Sequence, residues 1–283
     1  RTSPTNMGLA LLANLAARDF GYITLGGLVE RTDNTLGTML GLERYRGHFF
    51  NWYETRTLNP LPPRYVSTVD SGNLAGHLLT LASGLREAED GMIFSPQVFA
   101  GMRGTLDVLK ESAGDDAALA ELDAALKDAP ATLTESFALL ERVTAMAARI
   151  AESLPGAGEE AVKWAQILER TCGEHRVELL AFAPWLGQPE RVTGASAAIV
   201  ARLDAVPTLR ELAELDPPAG DGAAWLREAA EHARERLVKL EDLARKCDEL
   251  AVMDFRFLFD PARELFSIGF NVIELRRDAG YYD

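Results

Sequence analysis

The chain has 283 residues, 47% of them hydrophobic, and a formal charge of −14; that composition marks a globular protein with room for one large core or a core plus a smaller domain. No run approaches the roughly 20 consecutive apolar residues that a membrane-spanning helix needs. The charge is uneven: residues 1–80 carry 7 Arg against 6 Asp/Glu, while residues 81–283 carry 22 Lys/Arg against 37 Asp/Glu, a surface that repels phosphate backbones and argues against a nucleic-acid partner.

The chain opens at Arg1 with neither Met nor a signal peptide, and closes on Tyr281-Tyr282-Asp283 without a polar tail. Both ends therefore predict a piece of a longer protein. Ser3-Pro4 is a helix start, with Ser as N-cap and Pro in the first turn. The stretch GLALLANLAARDFG follows, apolar on nearly every side and so expected to be buried all round, with Gly21 as its stop. A second, amphipathic helix runs through LGGLVERTDNTLGTMLGLER, with Leu25, Leu28, Val29, Leu36, Met39 and Leu40 on its buried side. HFFNWYET and the proline-rich NPLPPRY cannot be regular helix, so the aromatic cluster belongs to a long loop. DSGNLAGHLLTLASGL restarts a helix, with Asp70 or Ser71 as the expected cap and Gly72, Ala75 and Gly76 as small residues permitting close packing.

From about residue 92 to 250, Ala, Leu, Glu and Arg dominate. About six amphipathic helices are expected, broken at Gly114-Asp115, Ala129-Pro130, Pro155-Gly156, Pro184 to Pro189, Val206-Pro207 and Asp216 to Asp221. No fixed-period repeat is evident. Cys172 and Cys247 are too few for a disulfide scaffold. Cys172 and His175 have a ligand-like spacing, but no nearby residues complete a zinc set, so a buried Cys on a helix is the better reading. Near the end, FRFLFDPARELFSIGFN predicts a β-hairpin around Asp260 to Arg263, with Phe255, Phe257 and Phe259 on one face.

Three polar groupings could carry chemistry. TSPTN, which includes Asn6, has helix capping as its plain alternative. ERYRGHFFNWYET brings Arg46, His48, Asn51, Trp52, Tyr53 and Glu54 together; it could plug a loop into the core, but core plugs seldom carry so many groups that need partners. YVSTVDSGNLAGH contributes Asp70, Ser71 and Asn73, where Asp70 could simply cap a helix. Aromatic faces beside amides and carboxylates suit carbohydrate, whose rings offer apolar C–H faces and a rim of hydroxyls. There is no dinucleotide fingerprint, P-loop or nucleophile elbow, and no cofactor is expected.

TSPTNMGLALLANLAARDFGYI, LERYRGHFFNWYETRTLNPLPPRYVSTVDSGNLAGHLL, and FLFDPARELFSIGFNV with RRDAGYYD resemble the glucoamylase-like domain of bacterial cyclic β-1,2-glucan synthases, over residues 1–88 and 253–283. The resemblance implies an all-α fold, part of an (α/α)6 toroid, with residues 1–91 as its first helices and loops, 92–250 as a helical insertion and 251–283 as a hairpin returning to the barrel. It implies closure of linear β-1,2-glucan into a ring by transglycosylation, in a membrane synthase that also has a glycosyltransferase part and a phosphorylase-like part. Its expected partners are β-1,2-glucan and the other domains of the synthase. Its expected place is the cytoplasmic face of the bacterial inner membrane, reached through segments outside this chain. The catalytic glutamates are expected beyond Asp283, leaving Asn6, Arg46, His48, Asn51, Trp52, Tyr53, Glu54, Asp70, Ser71 and Asn73 as substrate-binding candidates. Trp52 or Tyr53 would stack on a glucose face, and Glu54 and Asp70 would position substrate. The alternatives are a non-catalytic glucan-binding or scaffolding helical module and a β-1,2-glucan hydrolase.

Overall fold

The computed structural model describes residues 1–281 apart from 115, 128–129, 154–157, 189, 191–196 and 218–222. The expected breaks at Asp115, Ala129, Pro155-Gly156, Pro189 and within 218–221, and the final Tyr282-Asp283, lie outside the described residues. The fold is all-α with small sheets. Ten α-helices are present among the described residues, and the chain divides into two compact units.

The first unit comprises Arg1–Leu15, Val29–Glu87 and Leu240–Asp283. Helix α1 (Pro4–Asp19) begins as the sequence predicts: Ser3 Oγ accepts the Asn6 amide at 3.3 Å and Pro4 takes the first helical position. It is not buried all round. Met7, Gly8 and Leu11 form one buried stripe, while Leu9 is 51% exposed. In α2 (Leu25–Leu40), Leu28, Val29, Leu36 and Met39 are buried as expected, with Thr32 between them. Leu40 lies one step past that stripe, about 100° round the helix, and is exposed.

The link from α2 to α3 (Thr68–Glu89) holds only short strands: β1 (Arg44–Tyr45) pairs with β2 (His48–Phe49) antiparallel, and β3 (Tyr65–Ser67) leads into the helix. Here the expected cap is corrected. Ser67, not Asp70 or Ser71, caps α3: its Oγ accepts the Asp70 amide at 3.2 Å. The close packing is also elsewhere than expected. A Cβ on Gly72 or Gly76 would meet open space, whereas one on Gly8 would strike His77 and one on Gly84 would strike Leu15.

Among the described residues between 92 and 251 there are seven α-helices: α4 (Gln97–Ala113), α5 (Ala117–Ala125), α6 (Leu133–Ser153), α7 (Glu159–Phe182), α8 (Ala197–Asp204), α9 (Leu209–Ala213) and α10 (Ala224–Ala251). Within the second unit, Ala16–Leu28 and Ala88–Lys239, α4 and α6 pack against α7, and α5 against α6. Asp116 caps α5 by accepting two amides, and Thr208 with Glu211 forms a reciprocal capping box on α9. Trp185 and Trp225 meet edge to face at 5.2 Å. Cys172 is buried on α7, where burial pushes its thiol up to about 12.

The C-terminal segment contains the predicted hairpin, β4 (Phe259–Asp260) with β5 (Leu265–Phe266), but it is shorter than expected. Phe255–Phe257 form a 3-10 turn instead of strand, because the Asp254 carboxylate accepts the Arg256 amide and caps that turn. A three-stranded sheet in the order β3, β6 (Gly269–Asn271), β7 (Arg276–Arg277) joins this segment to the start of α3. Its register pairs Tyr65 with Asn271 and Ser67 with Gly269. Thr68 Oγ1 donates to the Ser267 carbonyl at 2.6 Å beside it.

Candidate functional site

All ten predicted site residues lie in the first unit, and the fold sorts them into three settings. The first is a continuous chain of hydrogen bonds around Asp70. With Ser67 serving as cap, the Asp70 carboxylate is directed elsewhere. Oδ1 accepts from Thr5 Oγ1 at 2.6 Å, and Thr5 Oγ1 in turn accepts from Asn73 Nδ2 at 3.3 Å. In the amide orientation that satisfies both ends of Asn51, its Nδ2 donates to Asp70 Oδ2 at 2.9 Å and its oxygen accepts from Trp52 Nε1 at 3.2 Å. The Arg1 guanidinium lies 4.4 Å from the centre of the Trp52 ring. Trp52, Asn51 and Asp70 are half-buried, and Asn73 is exposed.

The second setting is internal. His48 is 0% exposed and Ser71 1%. His48 Nε2 sits 3.0 Å from the Asp254 carbonyl, which can only accept, so Nε2 carries the proton; Nδ1 then accepts from Ser71 Oγ at 2.8 Å. Phe255 and Phe257 present ring contacts to the imidazole at 4.8 and 5.2 Å. Burial holds the His48 pKa below its ordinary value against the opposing bond to Asp254. Tyr53 is equally internal. Its hydroxyl donates to the Glu43 carbonyl at 2.6 Å and accepts the Phe50 amide at 2.9 Å, and its main chain pairs with Thr2. With Tyr53 in the core, stacking on a ligand from this stretch falls to Trp52.

The third setting is peripheral. Glu54 Oε2 accepts the amides of Thr57 and Arg56 at 2.6 and 2.8 Å; these bonds, Thr57 first, lower its pKa and make it the cap of its own turn. Arg46 is exposed, with a positive φ of 52° and a 4.0 Å approach to Asp254. The Asp254 carboxyl is held down at about 2, chiefly by its bonds to the Arg256 side chain. Asn6 is exposed in the first turn of α1.

Sequence reading missed Thr5, whose hydroxyl joins Asp70 across 65 positions, and Asp254, which meets His48 across 206. Spacing carries no signal at such separations. The loop that carries Tyr53 and Glu54 also borders a hollow of about 410 Å³ floored by Met7, Met39 and Leu42. A second hollow of about 350 Å³, in the second unit beside His175 and Glu178, contains none of the ten residues. There His175 Nε2 lies 3.1 Å from the Gly21 carbonyl. No cluster of three or more His, Cys, Asp or Glu side chains that could hold a metal occurs among the described residues, and none of their helices is long and apolar enough to cross a membrane.

No family model matches the chain. It is 34% identical, over an aligned length of 290 residues, to cyclic β-(1,2)-glucan synthase NdvB of Rhizobium meliloti (strain 1021). All of the chain takes part in that match, which spans 9% of the relative's length. The chain with the Asp70 network and the buried His48–Ser71 pair is thus a homologue of one segment of a cyclic β-(1,2)-glucan synthase.

Proposed function

We propose that the first unit presents a binding surface for linear β-1,2-glucan, within a protein that closes the glucan into a ring by transglycosylation. The observation that carries this reading is the Trp52 indole, half-buried and tethered through Nε1, next to amide and hydroxyl groups on Asn51, Thr5 and Asn73. An aromatic plate beside a polar row matches a sugar ring's apolar faces and hydroxyl rim. The name of the relative supports the choice of glucan.

In this reading the chain positions substrate and does not perform the chemistry. Retaining transglycosylation uses two carboxyl groups about 5 Å apart, one as nucleophile and one as acid/base. Both carboxylates the sequence singled out are already engaged, Glu54 in its turn and Asp70 in its network. We assign the catalytic pair to other parts of the protein, and residues 92–250 to an insertion between two parts of an (α/α)6 toroid. The protein then works at the cytoplasmic face of the bacterial inner membrane, held there by segments outside this chain.

The test is titration of the 283-residue chain with linear β-1,2-glucan, followed by the fluorescence of its four tryptophans. A β-1,3-glucan is the control, and Trp52→Phe locates the signal. Selective binding lost or weakened in Trp52→Phe is the expected result. Equal response to both glucans would overturn the assignment.

A further inference from the structure

We propose that Asp70 is a positioning residue for this surface: it acts through Asn51 to fix the indole of Trp52, and does not itself contact the sugar. The inference rests on the glucan-binding reading for its purpose, but on geometry alone for its mechanism.

The direction of the hydrogen bonds is the argument. Asn73 Nδ2 donates to Thr5 Oγ1, and the single Thr5 proton goes to Asp70 Oδ1. From the other side, Trp52 Nε1 donates to Asn51, and Asn51 Nδ2 donates to Asp70 Oδ2. Every proton points towards one carboxylate, which as an anion can only accept. A side-chain amide has two ends of nearly the same shape and no steric reason to prefer one over the other. The Asp70 charge supplies that preference: with Nδ2 drawn to Oδ2, the amide oxygen must face the indole N–H. Turned by 180°, Asn51 would set its NH2 against the indole N–H and its oxygen against Asp70 Oδ2, and neither contact could be a hydrogen bond. The main chain of Trp52 is held separately, its carbonyl accepting the Leu61 amide at 2.8 Å. The ring therefore has two fixed points, and Asp70 controls the second.

Asp70 is available for this because of Ser67. A carboxylate in the first turn of a helix ordinarily turns back to the free amides there. Ser67 already accepts the Asp70 amide, so the carboxylate points outward to Thr5 and Asn51.

The experiment uses the 283-residue chain with 15N-labelled tryptophan. Trp52→Phe assigns the Trp52 indole N–H resonance in a two-dimensional 1H–15N spectrum. Asp70→Ala is expected to shift that resonance and leave the other three in place. Asp70→Asn, which keeps the shape without the charge, is expected to move it less in the same direction, and serves if the alanine variant does not fold. In glucan titrations, Asp70→Ala is expected to raise Kd roughly tenfold, the size of a lost charge-assisted hydrogen bond. In a Trp52→Phe background the same change is expected to add nothing, because Asp70 then has no indole N–H to fix. An unmoved resonance in folded Asp70 variants, or losses that add in the double variant, would overturn the proposal; additivity would mean that Asp70 meets the sugar directly. A resonance that moves in a chain with no affinity for glucan would overturn the glucan reading and uphold the positioning role.

Discussion

His48 Nδ1 and Ser71 Oγ lie 2.8 Å apart where neither residue reaches solvent. Since His48 Nε2 binds the Asp254 carbonyl, one imidazole ties the aromatic loop, the start of α3 and the segment after α10 together. Ser71→Ala removes the hydroxyl that donates to a buried nitrogen and is expected to cost about 1–3 kcal/mol. His48→Ala also leaves a cavity between Phe255 and Phe257, and is expected to cost about 3 kcal/mol or more. Urea unfolding midpoints at constant slope measure both. Equal stability in the two variants and the parent would show that the pair is dispensable.

The pH dependence follows from the same burial. His48, His175 and His232 are all held below the ordinary 6.5 by burial. The unfolded chain therefore binds more protons than the folded one once the pH falls below about 6.5. Stability is complete above that value and declines as pH drops towards the folded values, where the loss levels off. Asp254 acts lower. Its folded value of about 2, against an ordinary 3.8, contributes stability present above 3.8 and lost as pH falls to 2. Two separate declines are expected in urea midpoints taken from about pH 8 downward, and His48→Gln should flatten the upper one.

Two glycines should respond with opposite signs. Gly21 has φ +76°, and a Cβ there would lie 2.2 Å from the Gln97 carbonyl oxygen. Gly21→Ala is expected to destabilise by about 2 kcal/mol or more. Gly76 lies within α3 with nothing near its missing Cβ, so Gly76→Ala is expected to stabilise by about 0.5–1 kcal/mol. Thermal melting of both against the parent distinguishes them, and shifts of the same sign would contradict the argument.

Neighbouring aromatic residues should separate binding from stability. Trp52→Ala is expected to weaken glucan binding while the chain stays folded, because the indole is half-buried at the surface network. Tyr53→Phe removes a hydroxyl that both donates and accepts in the core, and is expected to cost about 1–2 kcal/mol. Circular dichroism melts beside glucan titrations read the two effects. A Trp52→Ala chain that fails to fold would make that residue part of the core.

The helices were legible because they rest on local rules. Ser3-Pro4 announced α1, and the stripe of Leu28, Val29, Leu36 and Met39 announced α2. Local rules also explain the misreadings. Asp70 has every local property of a cap, and only the main chain settles that Ser67 holds the position. Phe255 and Phe257 alternate like a strand, yet one carboxylate on Asp254 turns them into a 3-10 turn. HFFNWYET gave the residue types correctly but not their division. His48, Phe49, Phe50 and Tyr53 are inside, while Trp52 and Asn51 join a network completed by Thr5, which no spacing rule connects to them.

The pairing of β3 with β6 has a consequence for how the protein is made. Tyr65 and Asn271 are partners, so the sheet at the start of α3 stays open until Asn271 has been synthesised. All residues of the second unit have been synthesised by Lys239, whereas the first still waits for 240–283. At about 5–20 residues per second the interval between residues 88 and 239 lasts on the order of ten seconds. Throughout it, Phe49, Phe50 and Tyr53 have no finished core to enter. A nascent chain stalled once Lys239 has emerged from the ribosome should therefore carry a protease-resistant second unit and a first unit that still recruits chaperones.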